Sequence, residues 1–342
     1  MNDQWYHISR IGNFEARILW RSWLFRVFAI LILSLLIFFD LFGVLGLAGS
    51  GSWPGRHIPG NIAYMNFFLF TVGQVIIASF LSADFLGREK KMDTTEVFYT
   101  RPVSNLQYVL GKTWGALMVF TGLNMVVMLL AMLVSLLSPD TTFVLATFFF
   151  YLLVYSLPSL LFILGFSFVL MVVVRNQAVT FVLVLGFGAT VLFYLQNKHW
   201  GVWDFMGFYL PAQYSGFSGF SHLREIFMQR ATFVLLGILG ILLTAFFLPR
   251  LPGTRHRSVY LVIFSALALS GAVFLVYTTV STGFKGQKLR EQIRQQESLL
   301  PAWPESLIDS CHLNIHHRGD VLECEAILKM AHPQQSDSIR ML

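Results

Sequence analysis

Long apolar stretches alternate with short polar ones along this chain, and the alternation predicts its architecture. Seven such stretches cover about residues 25–42, 62–83, 113–137, 142–174, 178–196, 231–248 and 259–281, and the last six contain no Asp, Glu, Lys or Arg. About 20 apolar residues in a helix cross about 30 Å of hydrocarbon, so each stretch reads as a membrane span. The 142–174 run is longer than a crossing needs and holds Pro158 between Ser156 and Ser159, which predicts a kink or an extension beyond the bilayer. Residues 1–24 follow another pattern. Trp5, Ile8, Ile11, Phe14, Ile18 and Leu19 recur at helical spacing with Arg10, Asn13, Glu15, Arg17 and Arg21 between them. That predicts an amphipathic helix lying in the membrane interface. Ala48 and Ser50 mimic a signal-peptidase site, but the apolar run before them is too long and starts too late, so an uncleaved anchor is expected.

Composition agrees with this reading. Of 342 residues, 56% are hydrophobic and 12% charged, and the mean hydropathy is +0.65. Soluble domains carry roughly 25% charged residues, so a soluble globular class is excluded. The sequence pI near 9.4 is not a nucleic-acid footprint, because the basic residues flank apolar runs. With a cytoplasmic N-terminus, thirteen lie inside: Arg10, Arg17, Arg21, Arg26, Arg88, Lys90, Lys91, Arg101, Lys112, Arg175, Arg250, Arg255 and Arg257. The outer loops hold only Arg56, Lys198, Arg224 and Arg230, a clear positive-inside bias, and the remaining seven basic residues lie in the tail after the last span. An odd number of spans then places the C-terminal tail outside, where Lys285, Lys288 and Arg290 run against the charge rule.

The polar segments differ in kind. From Asp84 to Arg101 stand Asp84, Arg88, Glu89, Lys90, Lys91, Asp93, Glu96 and Arg101. Burying all eight in mid-membrane would cost on the order of 24 kcal/mol, so this segment is expected in water. Its second half reads as a short helix ended by Arg101-Pro102. The loop 197–230 instead crowds Trp200, Trp203, Phe205, Phe208, Tyr209, Tyr214, Phe217, Phe220 and Phe227 around Gly201, Gly207, Pro211, Gly216 and Gly219. Such a segment is expected to lie in the interface or dip into the bilayer. It is either an ordinary aromatic belt or an outer gate built from Trp200, Trp203, Phe208, Tyr209 and Pro211. After the last span, a short polar helix over 288–297 is followed by Leu300-Pro301-Ala302-Trp303-Pro304. Alternating stretches 310–316 and 321–330, joined by His317-Arg318-Gly319-Asp320, then predict a β-hairpin. An isolated hairpin is marginal in water, so the tail is expected to open a β-domain that pairs with something else or continues in a longer protein.

Catalytic signals are sparse. Cys311 and Cys324 form no CxxC pair, so neither a zinc site nor a disulfide framework is indicated. Gly111-Lys112-Thr113 resembles the end of a phosphate-binding loop, but the glycine required at 106 is Leu106. His312 and His316 share a strand face while His317 points away, and no HExxH is present; these read as surface histidines. Asp40, the one acid within a span, reads as an interfacial group. A secondary transporter would need intramembrane polar groups, for which Asn66, Gln74 and Asn124 are the candidates; a membrane anchor would need only the spans and tail.

Two spans, then Phe85-Leu86-Gly87-Arg88-Glu89 and Asp93-Thr94-Thr95-Glu96, then Arg101-Pro102-Val103-Ser104 and Tyr108-Val109-Leu110-Gly111-Lys112 opening the third span, together resemble the permease subunit of type-2 ATP-binding-cassette (ABC) exporters. The likeness covers about residues 1–250. It implies an all-α polytopic membrane protein with a six-helix exporter-type core over 25–250, entered through the interfacial helix 1–24. A seventh span, 259–281, and a short outer α/β tail, 285–342, depart from that plan. The resemblance further implies a coupling helix, Glu89–Phe98, seated in a separate ABC ATPase that binds the ATP. Arg88, Glu89, Asp93 and Glu96 would make its polar contacts, and Arg101, Pro102 and Ser104 would set the turn into the third span. It implies no cofactor or catalytic residue in this chain, pairing with a second copy or another permease, and residence in a bacterial plasma (inner) membrane. Some permeases of this type are fused to an outer zinc aminopeptidase-like domain, and the segment from Trp303 to Glu323 is similar to where such a domain begins. The zinc ligands are absent here.

Overall fold

A computed structural model of the chain describes residues 2–47, 54–83, 103–138, 141–195, 198–248, 258–299, 308–318 and 321–330. Among them are seven helices long and apolar enough to cross a membrane: Trp23–Val44, Asn61–Ser82, Asn105–Leu137, Leu145–Val174, Gln177–Leu195, Leu223–Phe247 and Val259–Gln296. These are the first to seventh spans below, and they make the chain a mainly helical polytopic protein. Helix α1, Asn2–Arg21, precedes them, separated from the first span only by Ser22. The second and fourth spans are the most enclosed; the first, fifth and seventh keep most of their surface open.

Local chemistry fixes the ends of these helices. The third span starts eight residues before its apolar run, at Asn105, because Ser104 and Gln107 form a reciprocal capping box. Between the fourth and fifth spans the chain turns in two residues. Arg175 takes a left-handed conformation (φ 57°), and Asn176 Oδ1 accepts from the amides of Ala178 and Val179. The sixth span starts at Leu223, not at the apolar run from 231, so it includes Arg224, Glu225, Gln229 and Arg230. Near Pro158 the fourth span carries a π-helical segment, Tyr151–Ser156, that ends two residues before the proline. The ring has no N–H for the carbonyl four residues back, and a widened turn accommodates that loss.

Small residues set the closest helix contacts. A Cβ on Gly165 of the fourth span would lie 2.3 Å from the carbonyl oxygen of Gly237 in the sixth, and one on Gly240 would lie 2.6 Å from the carbonyl carbon of Gly165. Helix backbones touch there, which in lipid substitutes dispersion for a hydrophobic drive that the solvent does not provide. Around this seam Phe162, Phe205 and Phe233 join one apolar core with Phe120 and Ile163.

The chain divides into two compact units, Met1–Ser281 and Thr282–Leu342, with the helix Ser258–Leu299 continuing through the boundary where a separate polar helix was expected. In the first unit, β1 (Tyr214–Ser215) and β2 (Gly219–Phe220) form a minimal hairpin within the aromatic loop. In the second unit, β3 (Ile308–Arg318) and β4 (Val321–Met330) pair antiparallel. The register sets Cys324 opposite Ile315, four residues along β3 from Cys311. At about 3.4 Å per residue the two sulfurs' Cα atoms lie on the order of 13 Å apart, too far for a disulfide within the hairpin.

Leu at Gly165 or Gly237 should lower stability by about 1–3 kcal/mol or more, read as a fall in the thermal unfolding midpoint in detergent. Gly186→Ala, where a Cβ meets nothing within 4 Å, should leave the midpoint unchanged or slightly raised.

Candidate functional site: polar anchors of the helical core

The expected coupling residues Arg88, Glu89, Asp93, Glu96, Arg101 and Pro102 lie outside the described residues. Ser104 is described, and its role is local: Gln107 N donates to Ser104 Oγ (3.2 Å) and Ser104 N donates to Gln107 Oε1 (3.0 Å). Next to it, Asn105 Nδ2 donates to the carbonyl of Leu248 (2.8 Å), tying the start of the third span to the end of the sixth.

Helix α1 docks on that same end of the third span. Cβ atoms on Gly111 and Gly115 would lie 2.7 Å from Ile11 Cβ and 2.5 Å from Gly12 O, and one on Gly12 would lie 2.7 Å from Trp114. Glycines on both helices thus permit backbone contact. One turn on, Glu15 and Lys112 are both buried and stand 3.9 Å apart. Gly111-Lys112-Thr113 is therefore the interior of a packed helix, not a phosphate cradle. The spacing Gly111-x-x-x-Gly115 was a readable signal for such packing, overlooked when the same glycine was weighed as a nucleotide motif.

The aromatic loop is held by side chains of the fourth and sixth spans. Arg230, buried in the sixth span, donates to the carbonyls of Asp204 (2.8 Å) and Phe205 (3.0 Å). Gln229 beside it donates to Gly201 O (2.6 Å). From the fourth span, Tyr151 donates to Ala212 O (2.9 Å), Tyr155 to Gly207 O (2.8 Å) and Ser159 to Phe205 O (2.7 Å). The fully buried Asp204 carboxylate accepts from the amides of Gly207 and Tyr209. Burial pushes its carboxyl above the usual carboxylate range, against the opposing pull of Arg230 and these amides. Three consecutive left-handed residues, His199, Trp200 and Gly201, turn the chain into this arrangement (φ 53°, 55° and 73°).

The five residues named as an outer gate have differing surroundings. Phe208 sits edge-on to Phe68 of the second span, ring centroids 4.1 Å apart. Trp203 donates to His199 Nδ1 (3.3 Å), and its ring is exposed, as are Tyr209 and Pro211. Trp200 is half-buried, and Tyr209 packs over Gly201, where a Cβ would come within 2.6 Å of its ring. Loop and sixth span meet through Asp204, Gln229 and Arg230; the hydropathy pattern assigns Arg230 to the loop and does not single out the other two.

Deeper in the bundle the intramembrane polar groups engage one another. Asn124 Nδ2 donates to Gln74 Oε1 (2.6 Å), and Gln74 Nε2 donates to the Ser156 carbonyl (3.1 Å), joining the second, third and fourth spans. Asn66 Nδ2 donates to Asp40 Oδ1 (2.9 Å), so Asp40 is a buried partner of the second span rather than an interfacial acid. Among the described residues no group of three or more His, Cys, Asp or Glu is placed to hold a metal ion. No family model matches the chain, and no curated protein matches it.

Arg230→Met would leave the carbonyls of Asp204 and Phe205 and the Asp204 carboxylate without their cation. The expected cost is about 1–3 kcal/mol, measured as a lower unfolding midpoint together with faster limited proteolysis within 198–212.

Proposed function

We propose that this chain is the permease subunit of an ATP-driven exporter of the type-2 ABC kind in a bacterial plasma membrane. Its N-terminus faces the cytoplasm and its tail the outside. Two permeases, identical or not, pair around the transport path, and each sits on a separate ATPase that binds and hydrolyses ATP. The observation that carries this reading is the end of the third span. There a capping box, a glycine-mediated helix crossing and a buried ion pair bind α1, the third span and the sixth span into one body, directly after the charged segment 84–102. A displacement delivered to that segment has a stiff route into the spans. Asp93 and Glu96 supply acidic contacts to the ATPase cleft, Arg88 and Glu89 flank them, and Arg101, Pro102 and Ser104 set the turn. The polytopic helical architecture and the positive-inside charge count support the same reading, from which the seventh span departs. The mutual hydrogen bonding of Gln74, Asn124 and Ser156 leaves those groups as structural joints, which disfavours a solute pathway through them.

Co-expression with a nucleotide-binding subunit encoded beside this chain should yield a complex that survives affinity purification. The double substitution Asp93→Lys, Glu96→Lys should abolish co-purification and reduce ATPase stimulation at least about ten-fold, while the thermal midpoint of the chain stays unchanged. An ATPase retained by that variant, or none bound by the wild type, overturns the assignment.

A further inference from the structure

Beyond the glycine contact, α1 and the third span diverge and leave a groove of about 530 Å³. One wall is a single face of α1, carrying Asn13, Arg17, Trp20 and Arg21; the other carries Met118 and Gly122 of the third span. Arg17 and Arg21 are exposed, and neither has an ion-pair or hydrogen-bond partner among the described residues. The nearest acid along α1, Glu15, is turned away and buried against Lys112. A third cation stands close by, since Arg26 Nε donates to the Trp20 carbonyl (3.1 Å).

The other wall continues as an apolar stripe. Met118, Gly122, Met125, Leu129 and Leu133 follow one another at spacings of three and four residues on the third span, all of them exposed. At 1.5 Å per residue the stripe is roughly 22 Å long, enough to traverse one leaflet of about 15 Å. Gly122 opens its upper part, since a Cβ there would meet nothing within 4 Å.

We propose that this groove binds an anionic phospholipid, with the phosphate on Arg17 and Arg21 and one acyl chain along Met118–Leu133. Paired arginines beside an interfacial tryptophan match a charged headgroup, and basic pockets between membrane helices are suited to such lipids. A soluble anion would engage the arginines and leave the stripe unused. A second copy meeting this face about a two-fold axis along the membrane normal would bring Arg17 and Arg21 against their own symmetry mates at the same depth, a like-charge contact. The phospholipid satisfies both halves of the groove. The proposal requires only that the chain resides in a bilayer and does not rest on the exporter reading.

Native mass spectrometry of the purified full chain, titrated in detergent with phosphatidylglycerol or phosphatidylcholine, tests it. The wild type should retain phosphatidylglycerol about ten-fold more tightly than phosphatidylcholine, and Arg17→Gln with Arg21→Gln should remove that preference. Gly122→Leu, which fills open space without touching a charge, should weaken retention of both lipids. Glycerol phosphate added in excess should not displace the bound lipid. Equal retention of the two lipids by the wild type overturns the proposal, as does an unchanged preference in the double variant. Displacement by glycerol phosphate would mark a simple anion site and also overturn it. A Gly122→Leu chain that keeps its lipid but loses self-association would make the groove an interface between copies instead.

Discussion

Hydrocarbon offers no hydrogen-bonding partner, so every peptide group and polar side chain at depth must find one inside the protein. Regular helix satisfies this by itself. The irregular aromatic loop cannot, and its carbonyls at 201, 204, 205, 207 and 212 are instead taken up by Gln229, Arg230, Ser159, Tyr155 and Tyr151. An arginine in a span is expensive, and it is tolerated here because its N–H groups meet the carbonyls of Asp204 and Phe205, the Ser159 hydroxyl and the Gln229 side-chain oxygen. The loop and the sixth span therefore stabilise each other: the cation holds the loop in place, and the loop gives the cation its partners.

The third span serves as the hub of the helical unit. Its first turn is capped by Ser104 and tied to the sixth span by Asn105; its second turn receives α1 through Gly111, Lys112 and Gly115. Half-way along, Asn124 joins it to Gln74 of the second span, which in turn holds the fourth through the Ser156 carbonyl. Each joint is polar or involves touching backbones, and both kinds lose energy steeply on sliding, whereas apolar side chains in lipid exchange one dispersion partner for another. Movement imposed at the start of this helix is thus passed on as movement of several spans.

The sequence made the number and order of the spans readable, because an apolar run of membrane length has few other uses. Their ends were less readable. The third and sixth spans begin eight residues before their apolar runs, and in both cases polar residues within the helix, Asn105 and Lys112 in one, Arg224 and Arg230 in the other, resemble loop when each is judged by hydropathy alone. Their partners are distant in sequence: Leu248 for Asn105, Asp204 and Phe205 for Arg230. An acid, Asp204, among the aromatics of the loop and an arginine, Arg230, adjoining the following apolar run were the available clue to that contact. Pattern also ended the last helix too early, since helical propensity carries it on to Leu299 after hydrophobicity stops. The tail hairpin was read to within a few residues because strict alternation leaves its faces unambiguous, and its register then separates the two cysteines.

The account turns on a chain that crosses the membrane an odd number of times with the charged segment 84–102 inside and the hairpin outside. The only two cysteines, Cys311 and Cys324, are exposed on that hairpin, so the native chain carries its own probe. Labelling of intact cells with a membrane-impermeant thiol reagent should modify the wild type. A variant with both cysteines replaced by Ser and carrying Asp93→Cys should label only after the membrane is opened. Modification of position 93 on intact cells would contradict the account at its base.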